Sequence, residues 1–188
     1  MSFDLSVIPH KNIILAVTGG IAAYKSAILV RRLKDFGFDV RVVMTQGAQA
    51  FITPLTFQAL SGNPVHTELL NPEAEAGMGH IELARWADLV LVAPASCDTL
   101  AKFAHGLADD LLSTLYLATK APVWVAPAMN QQMWAAKATQ RNLQSLVDDG
   151  VHVIMPDAGE QASGDVGLGR MPEAEDLARQ VAAYFHQQ

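Results

Sequence analysis

The sequence predicts an α/β fold in which helices cover both faces of a parallel sheet. Short apolar runs typical of buried strands recur along the chain, helical patterns lie between them, and glycine or capping residues mark most boundaries. Such alternation requires right-handed crossovers between parallel strands. We therefore expect one three-layer, doubly wound domain of the Rossmann or flavodoxin type over residues 1–188, with flexible ends at about 1–11 and 187–188.

Five short runs rich in β-branched and apolar residues predict the strands. In chain order they are NIILAVT at 12–18, VRVVM at 40–44, LVLVA at 89–93, VWVA at 123–126 and VHVIM at 151–155. Parallel strands bring their carboxyl ends to one edge of a sheet, where ligands of open α/β folds bind. The segments that follow these strands are therefore the candidates for a functional site.

Helical patterns fill most of the intervals between the strands. The predicted helices cover residues 21–36, 54–61, 81–86, 100–104, 109–118, 140–149 and 173–186. Thr53 and Thr139 precede two of them as expected N-caps, and Gly37 and Gly150 follow two others as C-terminal stops. Loops rich in Gly, Pro or acidic residues are expected at 63–79 and 156–171.

Composition and charge argue against several classes of protein. The 51% hydrophobic and 17% charged residues are typical of a globular chain, and the net charge of -6 argues against nucleic acid or an anionic membrane as partner. A single cysteine, Cys97, permits neither an intramolecular disulfide nor a cysteine-based metal site, which fits a cytoplasmic protein. We find no signal-peptide pattern and no apolar run of membrane-spanning length.

Three segments that leave predicted strands could meet in one crevice. TGGIAAYK at 18–25 could hold a phosphate on backbone N–H groups, although its spacing is not that of a dinucleotide site. PASCDTL at 94–100 and PAMNQQMW at 127–134 place polar side chains after two other strands. Each segment also has a purely structural interpretation: a tight turn, a helix cap at Ser96, and a helix start at Asn130.

The segment PAMNQQMW resembles the PxMNxxMW signature of flavin-dependent cysteine decarboxylases. TGGIAAYK and PASCDT resemble the flavin-binding segments of that family, with Cys97 in place of the usual alanine. The similarity extends over about residues 12–171 and includes GMGHIELARWAD and ASGDVGLGRM, which resembles the family's substrate flap at about 157–171. Within the family, the chain is most similar to the decarboxylase half of the bacterial bifunctional enzymes of coenzyme A biosynthesis.

The resemblance implies FMN as cofactor, no metal, and 4'-phosphopantothenoylcysteine as a substrate that is oxidatively decarboxylated towards 4'-phosphopantetheine. By this resemblance, FMN would be bound by Gly19, Gly20, Ile21, Thr45, Ser96, Cys97, Asp98, Thr99 and Ala128. The substrate would contact Met129, Asn130, Ala162 and Arg170.

The resemblance also implies three catalytic roles. His80 would be the base, Asn130 would hold the substrate carboxylate or amide, and Ser163 occupies the position of the family's proton-donor cysteine. A serine hydroxyl is a far weaker acid than a thiol, so we expect the final protonation to be impaired and the enethiol to accumulate or leak. A natural variant and a deliberate cysteine-to-serine replacement both fit this position.

Two other functions share the fold and the flavin. One is a flavin prenyltransferase of a related branch, and the other is a non-catalytic regulatory flavoprotein that inhibits a phosphatase. An electron carrier fits less well because it needs no substrate flap. Members of the resembled family assemble as trimers or as dodecamers of trimers with the flavin near a subunit interface, and the bifunctional enzymes add a synthetase domain. A homo-oligomer is therefore expected.

Overall fold

A computed structural model describes residues 10–70 and 79–188, in which six parallel strands form one sheet. The strands are β1 (Asn12–Val17), β2 (Asp39–Met44), β3 (Val65–His66), β4 (Leu89–Ala95), β5 (Val123–Pro127) and β6 (His152–Val153). Their order in the sheet is β3-β2-β1-β4-β5-β6, which is the Rossmann arrangement rather than the flavodoxin one. The predicted α/β class and parallel sheet are confirmed.

Helices cover both faces of this sheet. They are α1 (Ala23–Asp35), α2 (Gln46–Gln49), α3 (Pro54–Ser61), α4 (His80–Trp86), α5 (Cys97–Ala104), α6 (Leu111–Ala118), α7 (Gln131–Ala135), α8 (Lys137–Asp148) and α9 (Ala174–His186). Alternate residues of β1 divide between the two cores: Ile13 and Leu15 pack with α1 and α9, whereas Ile14 and Ala16 pack with α4, α5 and α6. This alternation produces the three layers.

The predicted loop at 156–171 is wrong, because this segment contains an antiparallel hairpin. Strand β7 (Asp157–Glu160) pairs with β8 (Val166–Arg170). Glycine is depleted in strands, so Gly159, Gly167 and Gly169 gave the segment no local strand signal. The pairing depends instead on contacts with another part of the chain, which are described below.

Other boundaries also differ from the prediction. Thr139 does not cap α8, which begins at Lys137 after Ala136; it is 2% exposed inside the helix. Helix α5 begins three residues earlier than predicted, and β6 has two residues instead of five. The short elements α2 and β3 were not predicted, since neither is long enough to produce a periodic pattern.

Two predicted segments lie wholly or partly outside the described residues. Residues 1–9 belong to the predicted flexible N-terminal end, and residues 71–78 belong to the predicted acidic loop. Across the described ranges, no helix combines the length and apolarity needed to cross a membrane.

The carboxyl ends of β1 and β4 are joined by one buried hydroxyl. Thr18 Oγ1 donates to the Pro94 carbonyl at 2.6 Å and accepts from the Ser96 N–H at 2.8 Å. Thr18 is 0% exposed, so water cannot replace either hydrogen bond. Nearby, the Ser26 hydroxyl of α1 donates to the Ala93 carbonyl at 2.7 Å. The two strands are thus fixed where their following segments separate.

We predict that Thr18→Val lowers the free energy of unfolding by roughly 2–3 kcal/mol, because it removes the partner of the buried Pro94 carbonyl and of the half-buried Ser96 N–H. Thr18→Ser is the matched control; it keeps the hydroxyl and should cost about 1 kcal/mol for the lost methyl group. Urea denaturation of both variants at equal protein concentration measures the difference. Equal losses in the two variants would contradict this role of the hydroxyl.

Candidate active site

A cavity of about 710 Å³ lies at the carboxyl edge of the sheet. It is beside the point where the segments that follow β1 and β4 separate. In a Rossmann-type sheet this is the usual ligand position, and the volume is in the range of small-molecule sites. Its walls come from the three segments that leave β1, β4 and β5, together with the hairpin. The lining residues are Gly19, Gly20, Ile21, Ala22, Tyr24, Lys25, Ser96, Cys97, Ala128, Met129, Asn130, Met133, Glu160, Gln161, Ala162, Ser163, Gly169, Arg170 and Met171.

The glycine turn after β1 presents free backbone donors to the cavity. In the described part of the chain, the N–H groups of Gly19, Gly20 and Ile21 have no hydrogen-bond acceptor. They precede α1, whose amino end adds the positive pole of its dipole. Gly19 also packs closely on α2, since a Cβ there would lie 3.1 Å from the Gly47 carbonyl carbon. The turn can therefore bind an anionic group such as a phosphate.

The segment after β4 combines helix capping with a cavity wall. Ser96 Oγ accepts from the Thr99 N–H at 3.2 Å and donates to Thr99 Oγ1 at 3.0 Å, as the capping interpretation predicts. Thr99 is buried behind the wall, and Asp98 points towards Lys102 at 3.7 Å. Of the four predicted cofactor residues here, Ser96 and Cys97 line the cavity.

Lys102 explains why Asp98 turns away from the cavity. Burial opposes the charge of Lys102, but hydrogen bonds to Asp109 and Asp110 outweigh it and raise its pKa above the ordinary value. Its ammonium group lies 3.1 Å from a carboxylate oxygen of each of these aspartates. Asp98 therefore faces a cation on the outer side of α5.

Besides Asp98 and Thr99, two more predicted site residues, Thr45 and His80, lie outside the cavity lining. Thr45 caps α2, where its hydroxyl accepts from the Ala48 N–H at 3.3 Å. His80 is the first residue of α4, half-buried, and follows the cap residue Gly79. Within one chain, the structure does not bring His80 together with Asn130 and Ser163.

The signature segment after β5 forms the opposite wall. The Ala128 N–H donates to the Ala95 carbonyl at 3.1 Å, and the Met129 N–H donates to the Gly169 carbonyl at 2.9 Å. Asn130 caps α7 through Oδ1, which accepts from the Gln132 N–H at 2.8 Å. The structural interpretation of Asn130 as a helix start is therefore correct, and the residue also lines the cavity.

The hairpin docks on the signature segment through Gln161. Its Oε1 accepts from the Gln131 N–H at 3.0 Å, and its Nε2 donates to the Met129 carbonyl at 3.3 Å and the Leu168 carbonyl at 3.2 Å. A side chain at Gly169 would collide with the Met129 carbonyl oxygen. The close approach of the two segments thus requires glycine.

The docked hairpin places Ser163 next to Asn130, and Asp165 of the same hairpin contacts both residues. Ser163 Oγ and Asn130 Nδ2 each donate to Asp165 Oδ2 at 2.9 Å. The Asn130 nitrogen also lies 3.5 Å from Ser163 Oγ. The sequence prediction included Asn130 and Ser163 but missed Asp165, although it stands two residues after Ser163 in the quoted flap motif.

A buried lysine was also missed. Lys25 is 6% exposed and lines the cavity; its ammonium group donates to the Met171 carbonyl at 3.0 Å and to Glu173 Oε1 at 2.6 Å. Arg170 lies 3.9 Å from the same carboxylate. Lys25 is the last residue of the motif TGGIAAYK, and its place in that motif was the sequence signal for a site residue. Within the described residues, no cluster of three or more metal-binding side chains occurs.

Comparison with known proteins identifies the family. A family model described as Flavoprotein matches residues 5–186. The chain belongs to the Flavoprotein family. It is 58% identical over 175 residues to the coenzyme A biosynthesis bifunctional protein CoaBC of Escherichia coli K12, covering 93% of this chain and 43% of that protein. The chain thus spans less than half the length of this relative.

Two solved structures in the same comparison share the fold. A Cys-to-Ser mutant of PPC decarboxylase, complexed with pantothenoylaminoethenethiol, is 34% identical with a TM-score of 0.83, covering 95% of this chain and 100% of that one. SpaF, an FMN-dependent cysteine decarboxylase, is 30% identical with a TM-score of 0.79, covering 94% and 96%. The resemblance stated from the motifs is confirmed.

We predict that Gly169→Ala separates the hairpin from the signature segment of this Flavoprotein member, because the added methyl group meets the Met129 carbonyl. Gly164→Ala is the control: both glycines have positive φ, +137° and +86°, but nothing lies within 4 Å of a Cβ at Gly164. Limited proteolysis should cut the hairpin of the first variant about tenfold faster, and that of the control much less. Equal cleavage would contradict the docking contact.

Proposed function

We propose that this chain binds FMN and catalyses the decarboxylation of 4'-phosphopantothenoylcysteine towards 4'-phosphopantetheine in cytoplasmic coenzyme A biosynthesis. The observation that carries the proposal is one cavity that unites free backbone donors at the glycine turn with Asn130 and Ser163. The names of the relatives support it: a coenzyme A biosynthesis protein, a PPC decarboxylase and an FMN-dependent cysteine decarboxylase.

The residues of the cavity fit FMN. The N–H groups of Gly19, Gly20 and Ile21 suit its phosphate, and the half-buried Cys97 and Ala128 continue the wall. Tyr24 and Met129 supply the apolar surface that an aromatic ring system prefers. When bound, FMN supplies the hydride acceptor and donor that decarboxylation of an unactivated cysteine carboxylate requires.

Asn130 is proposed to hold the substrate. Its Oδ1 is committed to capping α7, so the amide cannot turn over, and its Nδ2 carries two hydrogens of which Asp165 takes one. The second hydrogen, whose acceptor Ser163 Oγ lies at the long distance of 3.5 Å, can be donated to the substrate carboxylate. Ala162 and Arg170 from the hairpin would complete the substrate surface.

Ser163 is proposed to limit the last step. It lies beside Asn130, the residue proposed to hold the substrate, but a hydroxyl gives up its proton much less readily than a thiol. The PPC decarboxylase structure is that of a cysteine-to-serine mutant complexed with an ethenethiol. We therefore expect the enethiol to accumulate or leak from this chain.

We propose that His80 acts from a second copy of the chain. Ile21, Tyr24 and Ile28 form an apolar stripe at helical spacing, exposed by 60%, 56% and 41%, which begins at the cavity and is suited to cover by another subunit. A trimer, or a dodecamer of trimers, would allow His80 of one copy to serve as base in the cavity of its neighbour.

The absorption spectrum of the FMN-loaded protein tests the proposed function. Anaerobic addition of 4'-phosphopantothenoylcysteine should bleach the flavin, and the bleached state should persist while enethiol forms. In Ser163→Cys, colour should return and the saturated thiol should increase at least tenfold, because a thiol supplies the proton. Ser163→Ala is the control and should behave like the parent protein.

A bound flavin that the substrate never bleaches would contradict this activity. Turnover with a prenyl phosphate would then favour the prenyltransferase, and inhibition of a phosphatase would favour the regulatory flavoprotein. Failure to bind FMN at all would contradict the cofactor itself.

Mixing two inactive variants tests the role of His80. We predict that His80→Asn and Asn130→Ala each lower the bleaching rate by about 10²-fold or more. Oligomers re-formed from an equal mixture should regain part of the activity, since some cavities then combine an intact Asn130 with an intact His80 from a neighbour. No recovery in oligomers shown by mass to contain both variants would contradict shared sites.

A further inference from the structure

We propose that Asp165 is a positioning residue that orients both the Asn130 amide and the side chain at position 163 through one carboxylate oxygen. This inference rests on the proposed function, which gives Asn130 and position 163 their roles. The sequence analysis predicted no role for Asp165.

The geometry is specific to one atom. Asp165 Oδ2 accepts from Asn130 Nδ2 and from Ser163 Oγ, at 2.9 Å in both cases. Because the opposite end of the Asn130 amide is held by the Gln132 N–H, the amide plane is fixed from both sides. The remaining amide hydrogen then has a defined direction towards a substrate.

A tight turn holds Asp165 in place. Its carbonyl accepts from the Gln161 N–H at 2.7 Å, and the Gln161 carbonyl accepts from the Gly164 N–H at 2.8 Å. Gly164 has φ of +86°, the left-handed region that glycine adopts most readily. Since Gln161 also binds the signature segment, the contact of Asp165 with Asn130 follows directly from the docking of the hairpin.

The charge of Asp165 has a second effect at position 163. A carboxylate in contact with an acidic hydrogen favours the form that retains the hydrogen. Two cations, Lys25 and Arg170, line the same cavity. Their charged nitrogens lie 2.6 Å and 3.9 Å from Glu173 Oε1, so the Glu173 carboxylate partly neutralises both charges. Glu160 adds a further negative charge to the lining. Asp165 is the charged group in hydrogen-bond contact with position 163.

In the proton transfer itself, the hydrogen leaves the heteroatom at position 163 and forms one of the two new C–H bonds of the product, while the other would be formed by the hydride that the proposed cofactor supplies. The electron pair of the broken bond stays on the heteroatom, which regains a proton from water. Asp165 neither gains nor loses a proton in this step. It keeps position 163 in the protonated form before the transfer and favours reprotonation after it.

A thiol introduced at position 163 reports the contact without any need for turnover. In FMN-loaded S163C, S163C/D165N and S163C/D157N, the alkylation rate of this thiol is measured against pH by peptide mass spectrometry, with Cys97 as internal reference. Asp157 is the matched control, an exposed aspartate of the same hairpin outside the cavity lining. We expect only D165N to lower the titration midpoint, by about one pH unit, which speeds alkylation about tenfold near neutral pH.

Ligand affinities of two Asp165 variants separate its effect on the orientation of the Asn130 amide from the effect of its charge. Asp165→Ala should weaken binding of the carboxylate-bearing substrate about fivefold to tenfold but leave binding of the carboxylate-free product unchanged. Asp165→Asn should stay within about twofold for both ligands, because its amide oxygen still accepts from Asn130.

Equal titration midpoints in S163C and S163C/D165N would overturn the inference, as would an equal loss of substrate and product affinity in Asp165→Ala. Failure of the proposed function looks different. In that case the substrate does not bleach the parent flavin, whereas the thiol titration still reports whether Asp165 contacts position 163.

Discussion

The rest of the site depends on the hydrogen bonds of the buried Thr18 hydroxyl. This group joins the ends of β1 and β4, the central neighbours of the sheet. Helix α1 follows β1 and α5 follows β4. These two helices pack on opposite faces of the sheet, α1 in one core and α5 in the other. That divergence opens the cavity, and Thr18 holds its two walls at a fixed separation.

The two ends of the cavity use different chemistry. At the glycine turn the donors are backbone N–H groups, and neighbouring side chains are occupied elsewhere: Ser96 with Thr99, and the Cys97 sulfur with Thr139 Oγ1 at 3.4 Å. A backbone donor set does not depend on side-chain identity, so the side chain at position 97 does not alter the donors of the glycine turn. At the hairpin end, by contrast, the Asn130 amide nitrogen is bound by the side chains of Ser163 and Asp165.

The sequence predicted much of the fold, because buried strands and amphipathic helices leave local patterns. It could not predict the hairpin or the true start of α8. The pairing of β7 with β8 is held by the distant Met129 and Gln131, and Thr139 is placed by its contact with Cys97. Candidate residues were found through motifs rather than through chemistry. Asp165 was missed although it stands in a motif, because its importance depends on a contact with Asn130 across 35 residues of sequence.

The hairpin contributes little to the core, and an isolated two-stranded hairpin is barely stable in water. Val166 and Leu168 are 72% and 44% exposed, so its order depends on docking rather than on burial. The contacts that hold the hairpin against the signature segment therefore also set the distance from position 163 to Asn130. Ser163 is exposed, and in the part of the chain that the structure describes its hydroxyl has hydrogen bonds to Asn130 and Asp165 alone, so exchanging it for a thiol should leave the packing unchanged. In the proposed function, position 163 would therefore alter the last protonation while the fold and the glycine-turn end of the cavity stay the same.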